Sequence, residues 1–175
     1  MIKNVPRIMI AAPKSGSGKT SVSCALIYAL KKRGHNISAF KCGPDYIDPM
    51  FHTKVIGTKS RNLDTFFTTP DRTRYLLKRN LEDCDIAVME GVMGYYDGVG
   101  GTTTRASAYD LAKVTQTPVV LIVNCKGMSV SILPFIQGFV NFMPDSNIKG
   151  VLLNQISSML YPRVKEHWQF YRLFW

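Results

Sequence analysis

Cysteine is scarce in this sequence and badly placed for pairing. The four among 175 residues, Cys24, Cys42, Cys84 and Cys125, stand far apart, and none forms a C-x-x-C pair. Zinc centres and dithiol redox couples built on that spacing are excluded, and the pattern suits inert thiols in a cytoplasmic protein. Acidic residues are also few: 12 Asp and Glu against 22 Lys and Arg leave a formal net charge of +10. The basic residues are nevertheless scattered. The one tight cluster, Lys31, Lys32 and Arg33, falls at a predicted helix end, where cations complement the dipole. With no recognition-helix or RNA-binding signature, a nucleic-acid partner is not expected, and attraction for small polyanions explains the sign equally well. Long hydrophobic runs are missing too. The longest uncharged stretch, 127–144, contains Pro134, Gln137, Gly138 and Asn141 and reads as loop plus helix, so no membrane span is expected. What is present is a composition 46% hydrophobic and 19% charged, which is too apolar for disorder and suits one domain over residues 1–175.

Five short apolar runs punctuate the chain: Ile8–Ala12, Ile37–Lys41, Ile86–Glu90, Val119–Asn124 and Val151–Asn154. Near-continuous Ile/Val/Leu runs bounded by turn residues predict strands buried on both faces, hence a mostly parallel sheet. Helices are predicted between them at Thr20–Arg33, Asp71–Asn80, Arg105–Thr115 and Ser129–Phe142, the last broken or shifted by Pro134. This alternation predicts a three-layer α/β domain. The polar and glycine-rich segments 13–20, 42–52, 91–105 and 125–131 each follow a predicted strand. Ligands of open parallel sheets bind outside the carboxyl ends of the strands, so these four segments should converge on one rim.

The segment Lys14-Ser15-Gly16-Ser17-Gly18-Lys19-Thr20 lies between a predicted strand and a predicted helix. Its glycines let backbone N–H groups turn toward phosphate oxygens. Lys19 would reach the β- and γ-phosphates, and the Thr20 hydroxyl would ligate Mg²⁺. Pro13 stands where the strict G-x-x-x-x-G-K-[ST] pattern has glycine, so the form resembles the deviant P-loops of partitioning ATPases and ATP-dependent amide-forming synthetases. The fold class expected is a P-loop NTPase-like α/β domain.

In a second string, Phe40-Lys41-Cys42-Gly43-Pro44-Asp45-Tyr46-Ile47-Asp48-Pro49-Met50-Phe51-His52, two carboxylates and a lysine share a proline-braced loop. Asp45 could bind metal or orient a carboxylate nucleophile, and Lys41 could neutralise phosphoryl charge. His52 reads as structural. A third string, Met89-Glu90-Gly91-Val92-Met93-Gly94-Tyr95-Tyr96-Asp97-Gly98, ends an apolar strand on Glu90, the position from which P-loop enzymes hold Mg²⁺. Asp97 and the hydroxyls of Thr102–Thr104 could face substrate, whereas Tyr95 and Tyr96 read as packing.

These strings, with 118–124 and 150–154, resemble the N-terminal synthetase domain of the cobyrinate a,c-diamide synthases, from about Arg7 to about Ser157. The F-K-x-G-P-D-Y-I-D-P-x-F-H and M-E-G-V-M-G-x-Y-D-G strings carry the resemblance. It implies ATP- and Mg²⁺-dependent amidation of the c and then the a carboxylate of cobyrinate through an acyl phosphate, in cobalamin biosynthesis. On matching positions, Lys14, Ser15, Gly16, Ser17, Gly18, Lys19, Thr20 and Ser21 would hold nucleotide. Thr20, Asp45 and Glu90 would hold Mg²⁺, and Asp45, Glu90, Asp97 and Lys41 would serve activation and substrate binding. Asn154 falls where relatives contact the adenine. The resemblance also implies ammonia from a glutaminase domain with a nucleophilic Cys, for which 175 residues leave no room, so ammonia would come from a separate domain or chain. The aromatic tail, 158–175, does not continue the resemblance. The competing expectations are a partitioning-type ATPase, in which Lys14 would reach across an ATP-bound homodimer, and a non-functional truncated remnant.

Overall fold

The computed structural model describes residues 5–170. The last residues of the aromatic tail, 171–175, lie outside it, as do the side chains of 168–170. Six strands form one sheet in the order β3-β2-β4-β1-β5-β6. They are β1 (Arg7–Ala11), β2 (Ile37–Cys42), β3 (Lys59–Leu63), β4 (Ile86–Glu90), β5 (Val119–Asn124) and β6 (Ile148–Asn154). Every pairing is parallel, for example Ile10 opposite Glu90 and Lys41 opposite Glu90. The sheet is thus entirely rather than mostly parallel.

Strand alternation explains the three layers. Ile10, Ala39, Val88 and Ile122 point to one face and pack with Ile27 of α1 (Lys19–Lys32). Their neighbours Met9, Phe40, Met89 and Leu121 point to the other face. There they meet Leu77 of α3 (Pro70–Arg79), Leu111 of α4 (Ala108–Thr115), Ile132 and Ile136 of α5 (Ile132–Asn141), and Val164 of α6 (Leu160–Phe170). Both faces are therefore apolar, as the runs predicted.

Four expectations need correction. A sixth strand, β3, was not expected, because Lys59-Ser60-Arg61-Asn62-Leu63 has no apolar run. It lies at the sheet edge with only Ser60 and Leu63 buried, and charged side chains are what edge strands carry. Segment 42–52 is not all loop: α2 (Ile47–Phe51) runs directly into a π-helical turn, His52–Ile56. The fourth helix starts at Ala108 rather than Arg105, because the Ser107 hydroxyl accepts the Asp110 N–H at 3.2 Å and caps it there. Of the two effects expected of Pro134, α5 shows the shift and not the break, starting at Ile132 rather than Ser129. Pro134 is the third residue of that helix, where its missing N–H has no intrahelical partner to lose.

None of the four cysteines is in a disulfide; Cys42, Cys84 and Cys125 are buried, and burial pushes the Cys42 thiol up to about 12. Among the described residues no helix is long and apolar enough to cross a membrane.

Candidate functional site

The turn from β1 into α1 is shaped by backbone geometry. Gly16 and Gly18 have φ of 73° and 100°, a region L side chains rarely adopt. A Cβ on Gly18 would also stand 2.6 Å from the Asn154 amide nitrogen. Ser17 is buried, and its hydroxyl donates to the Lys14 carbonyl at 3.0 Å, which closes the turn. No side chain caps α1, so its first N–H groups stay available to an anion. A cleft of about 480 Å³ opens in front of them, lined by Ser15, Gly16, Gly18, Lys19, Thr20, Ser21, Lys41 and Glu90. Inside it the Lys19 ammonium donates to the carbonyls of Met93 at 2.6 Å and Lys14 at 3.3 Å. Burial, helped by the nearby Lys41 charge, holds Lys19 below the usual lysine range. Lys14 itself is exposed at the lip of the turn.

The acidic residues from two crossovers meet one lysine behind that cleft. Lys41 and Glu90 face each other across the β2–β4 ladder, and their side chains pair at 2.7 Å. The same ammonium reaches Asp48 at 2.5 Å and lies 3.7 Å from Asp45. On its other side Glu90 accepts the Thr20 hydroxyl at 2.5 Å, which ties the cluster to the glycine-rich turn. Lys41 is 5% exposed and Glu90 1%. Burial pushes Glu90 above the usual carboxylate range, although Lys41 and Thr20 pull it back. Burial acts to lower Lys41, but its hydrogen bonds to Asp48 and Glu90 outweigh that and raise it.

Sequence reasoning gave Asp45 the main role in its string, yet Asp48 makes the shorter contact with Lys41. Asp45 Oδ1 instead accepts the backbone N–H groups of Ile47 at 2.9 Å and Asp48 at 3.4 Å, an Asx turn that leads into α2. The signal for Asp48 was available: a carboxylate three residues after such an Asx-turn aspartate falls in the first turn of a helix. The Met93 carbonyl was also missed. Met93 has φ 48°, and no sequence pattern announces a non-glycine residue there.

Asp97 is exposed and accepts the Gly94 N–H at 2.9 Å, closing the loop after β4. Its charge supports that of Lys19. Thr103 donates its hydroxyl to Val99 at 3.0 Å and lies on the surface with Thr102. Tyr95 and Tyr96 are packing residues: Tyr95 is fully buried, and Tyr96 donates to the Phe139 carbonyl at 2.7 Å. Asn154 ends β6 and donates to the Ser17 carbonyl at 3.0 Å, behind the turn. A second hollow of about 480 Å³, lined by Pro13, Lys14, Ser17, Asn124 and Lys126, adjoins that side of the turn.

The residues present fit a magnesium ion. Thr20 and Glu90 offer hard oxygen donors in contact with each other, and Glu90 Oε2 is buried with no hydrogen-bond partner among the described residues. Three carboxylates around one ammonium leave the cluster short of positive charge. Among the described residues no group of three or more His, Cys, Asp or Glu side chains forms a cage for a metal. The hard oxygens of Thr20 and Glu90 are the donor type that Mg²⁺ takes.

A glycine-rich turn between the first strand and helix, at the carboxyl rim of an all-parallel sheet, with a carboxylate ending the adjacent strand, defines the P-loop NTPase class. Solved structures of this class superimpose on the chain. FtsY from Elizabethkingia anophelis in complex with GDP matches with TM-score 0.62 at 12% identity, covering 87% of this chain and 50% of that one. HypB from Archaeoglobus fulgidus matches with TM-score 0.57 at 15% identity, covering 92% and 70%. At such identities the likeness concerns the fold alone.

Within that class the chain belongs to the CbiA family, the CobQ/CobB/MinD/ParA nucleotide binding domain, whose model matches residues 8–169. Hydrogenobyrinate a,c-diamide synthase of Streptomyces coelicolor is 46% identical over 154 residues, 88% of this chain and 32% of the relative. Cobyrinate a,c-diamide synthase of Priestia megaterium is 42% identical over 152 residues, 87% and 33%. That of Methanocaldococcus jannaschii is 41% identical over 152 residues, 87% and 34%. The chain therefore spans about a third of the length of the relatives it matches.

Proposed function

We propose that this chain is a synthetase domain that amidates side-chain carboxylates of cobyrinate, the c and then the a position, in cobalamin biosynthesis. It would use ATP, Mg²⁺ and ammonia from a glutaminase domain or chain. The observation that carries the reading is the continuous line of contacts Thr20–Glu90–Lys41–Asp48, which joins a phosphate-binding turn to an acidic cluster. The identity of 41–46% to the diamide synthases supports the substrate class.

In this reading the backbone of Ser15 to Thr20 and the N-terminus of α1 hold the triphosphate. Lys19 exchanges the Met93 carbonyl for the β- and γ-phosphates, and Ser21 lines the same wall. Thr20 and Glu90, with Asp45 nearby, hold Mg²⁺. A magnesium ion held there would supply positive charge against that developing on the γ-phosphoryl group. A substrate carboxylate oxygen attacks the γ-phosphorus and ADP leaves, giving an acyl phosphate. Ammonia then attacks the acyl carbon and inorganic phosphate leaves. Lys41 keeps the surrounding carboxylates from repelling both anionic reactants, and Asp97, on the loop after β4, would serve substrate binding. Asn154 borders the side of the turn where the base would lie.

The test is direct. Incubating the chain with cobyrinate, ATP, Mg²⁺ and ammonium chloride should yield ADP together with mono- and diamide by mass spectrometry. Absence of both products at every ammonium concentration overturns the reading for this chain.

A further inference from the structure

His52 was read as structural from sequence, yet its placement ties it to the acidic cluster. It is 1% exposed, lies four residues after Asp48, and opens the π-helical turn that continues α2. Asp48 and His52 therefore stand about one helical turn apart along one segment. Its Nδ1 meets the Ser60 hydroxyl at 3.2 Å, and its Nε2 is buried without a hydrogen-bond partner among the described residues. A π-turn and an unpaired buried nitrogen both work against stability, and such features concentrate at functional sites.

The partner side matters as much. Ser60 and Asn62 alternate along β3, two residues apart. Ser60 meets His52, and Asn62 donates to the Asp45 carbonyl at 2.8 Å. β3 is paired to β2 with Ser60 opposite Ala39 and Asn62 opposite Lys41. The segment carrying Asp45 and Asp48 is thus fastened to the same two-strand ladder that carries Lys41. Its far end is held by the Lys31 ammonium, which donates to the carbonyls of Ile56 and Gly57, each at 2.7 Å.

We propose that His52 is a positioning residue: wedged between the α2–π segment and β3, it sets the Asp48 carboxylate onto the Lys41 ammonium. Burial pushes the imidazole below the usual histidine range, so it fills this place as a neutral wedge rather than as a competing cation. The role in turnover rests on the synthetase reading; the role in geometry does not.

The experiment follows the Lys41 side chain by NMR in the 175-residue chain carrying ¹³C-labelled lysine, with Asp48→Asn as the reference for a lost contact. In His52→Leu the Lys41 ε-CH₂ signal should move toward its position in Asp48→Asn, and His52→Asn, which keeps a polar atom near the Nδ1 place, should return it. In the ammonium-dependent assay His52→Leu should lose at least tenfold in kcat with KM for ATP within twofold, and His52→Asn should recover most of it. A folded His52→Leu whose Lys41 signal stays at the wild-type position overturns the proposal. Should His52→Leu fail to fold, Ser60→Ala must shift the Lys41 signal in the same direction, and an unmoved signal is equally fatal. If wild-type chain shows no turnover, the synthetase reading fails while the Lys41 readout still decides the role of His52.

Discussion

Replacing Lys41 by Met keeps the apolar stem and deletes the charge that three carboxylates share. Glu90 is then left 1% exposed with the Thr20 hydroxyl as its partner. Removing one member of a buried pair costs about 3–5 kcal/mol if the survivor stays ionised. Glu90 can escape by taking a proton. From an ordinary value of 4.5, that costs about 4 kcal/mol at pH 7.5, at about 1.36 kcal/mol per pH unit. The two routes agree, so Lys41→Met should destabilise by about 3–4 kcal/mol at pH 7.5. At pH 5.5 the proton is cheaper by about 2.7 kcal/mol, and most of the loss should vanish. Lys41→Met/Glu90→Gln should recover much of it at pH 7.5, because the most deeply buried carboxylate is then uncharged. Urea unfolding followed by circular dichroism, with Cm compared at constant m, measures all three. A Lys41→Met loss below about 1 kcal/mol, or one unchanged between the two pH values, refutes the view of a desolvated, mutually dependent pair.

Two further outcomes follow from the same coordinates. Tyr95→Phe removes a hydroxyl that donates to the Ser146 carbonyl inside the core, which should cost about 1–3 kcal/mol in the same urea assay without altering nucleotide affinity, since the bond lies on the face opposite α1. Asp48 is held below its usual range: burial opposes this, but the hydrogen bond and charge of Lys41 prevail. Its contribution is therefore full above the unfolded-state value of 3.8 and lost as pH falls through the lower folded-state value. Thermal melts of wild type should drop more steeply below about pH 4 than those of Asp48→Asn, and parallel acid limbs would contradict this.

Much of the architecture was legible because its signals are local. Ile8–Ala12 and Val119–Asn124 bury alternate residues on opposite faces, so their uninterrupted apolarity announces central parallel strands. The turn at Gly16 and Gly18 announces itself by residue type, since few others tolerate φ of 73° and 100°. By contrast, β3 was invisible: Lys59 and Arg61 face solvent at an edge, and pairing with β2 rather than hydrophobicity makes it a strand.

Chain order alone thus determined the layer pattern, the phosphate-type turn and which carboxylates end which crossovers, because strand burial and turn geometry depend on residues a few positions apart. Tertiary structure decided the rest. Lys41 meets Glu90 because β2 lies beside β4, 49 residues apart in the chain. It meets Asp48 more closely than Asp45 because Asp48 lies in the first turn of α2, while the Asp45 carboxylate is engaged by the Ile47 N–H just before it. Lys19 rests on the Met93 carbonyl because the β4 loop folds back over the turn, 74 residues away. Such pairings follow from sheet order and register, which long-range packing sets and local propensity does not encode.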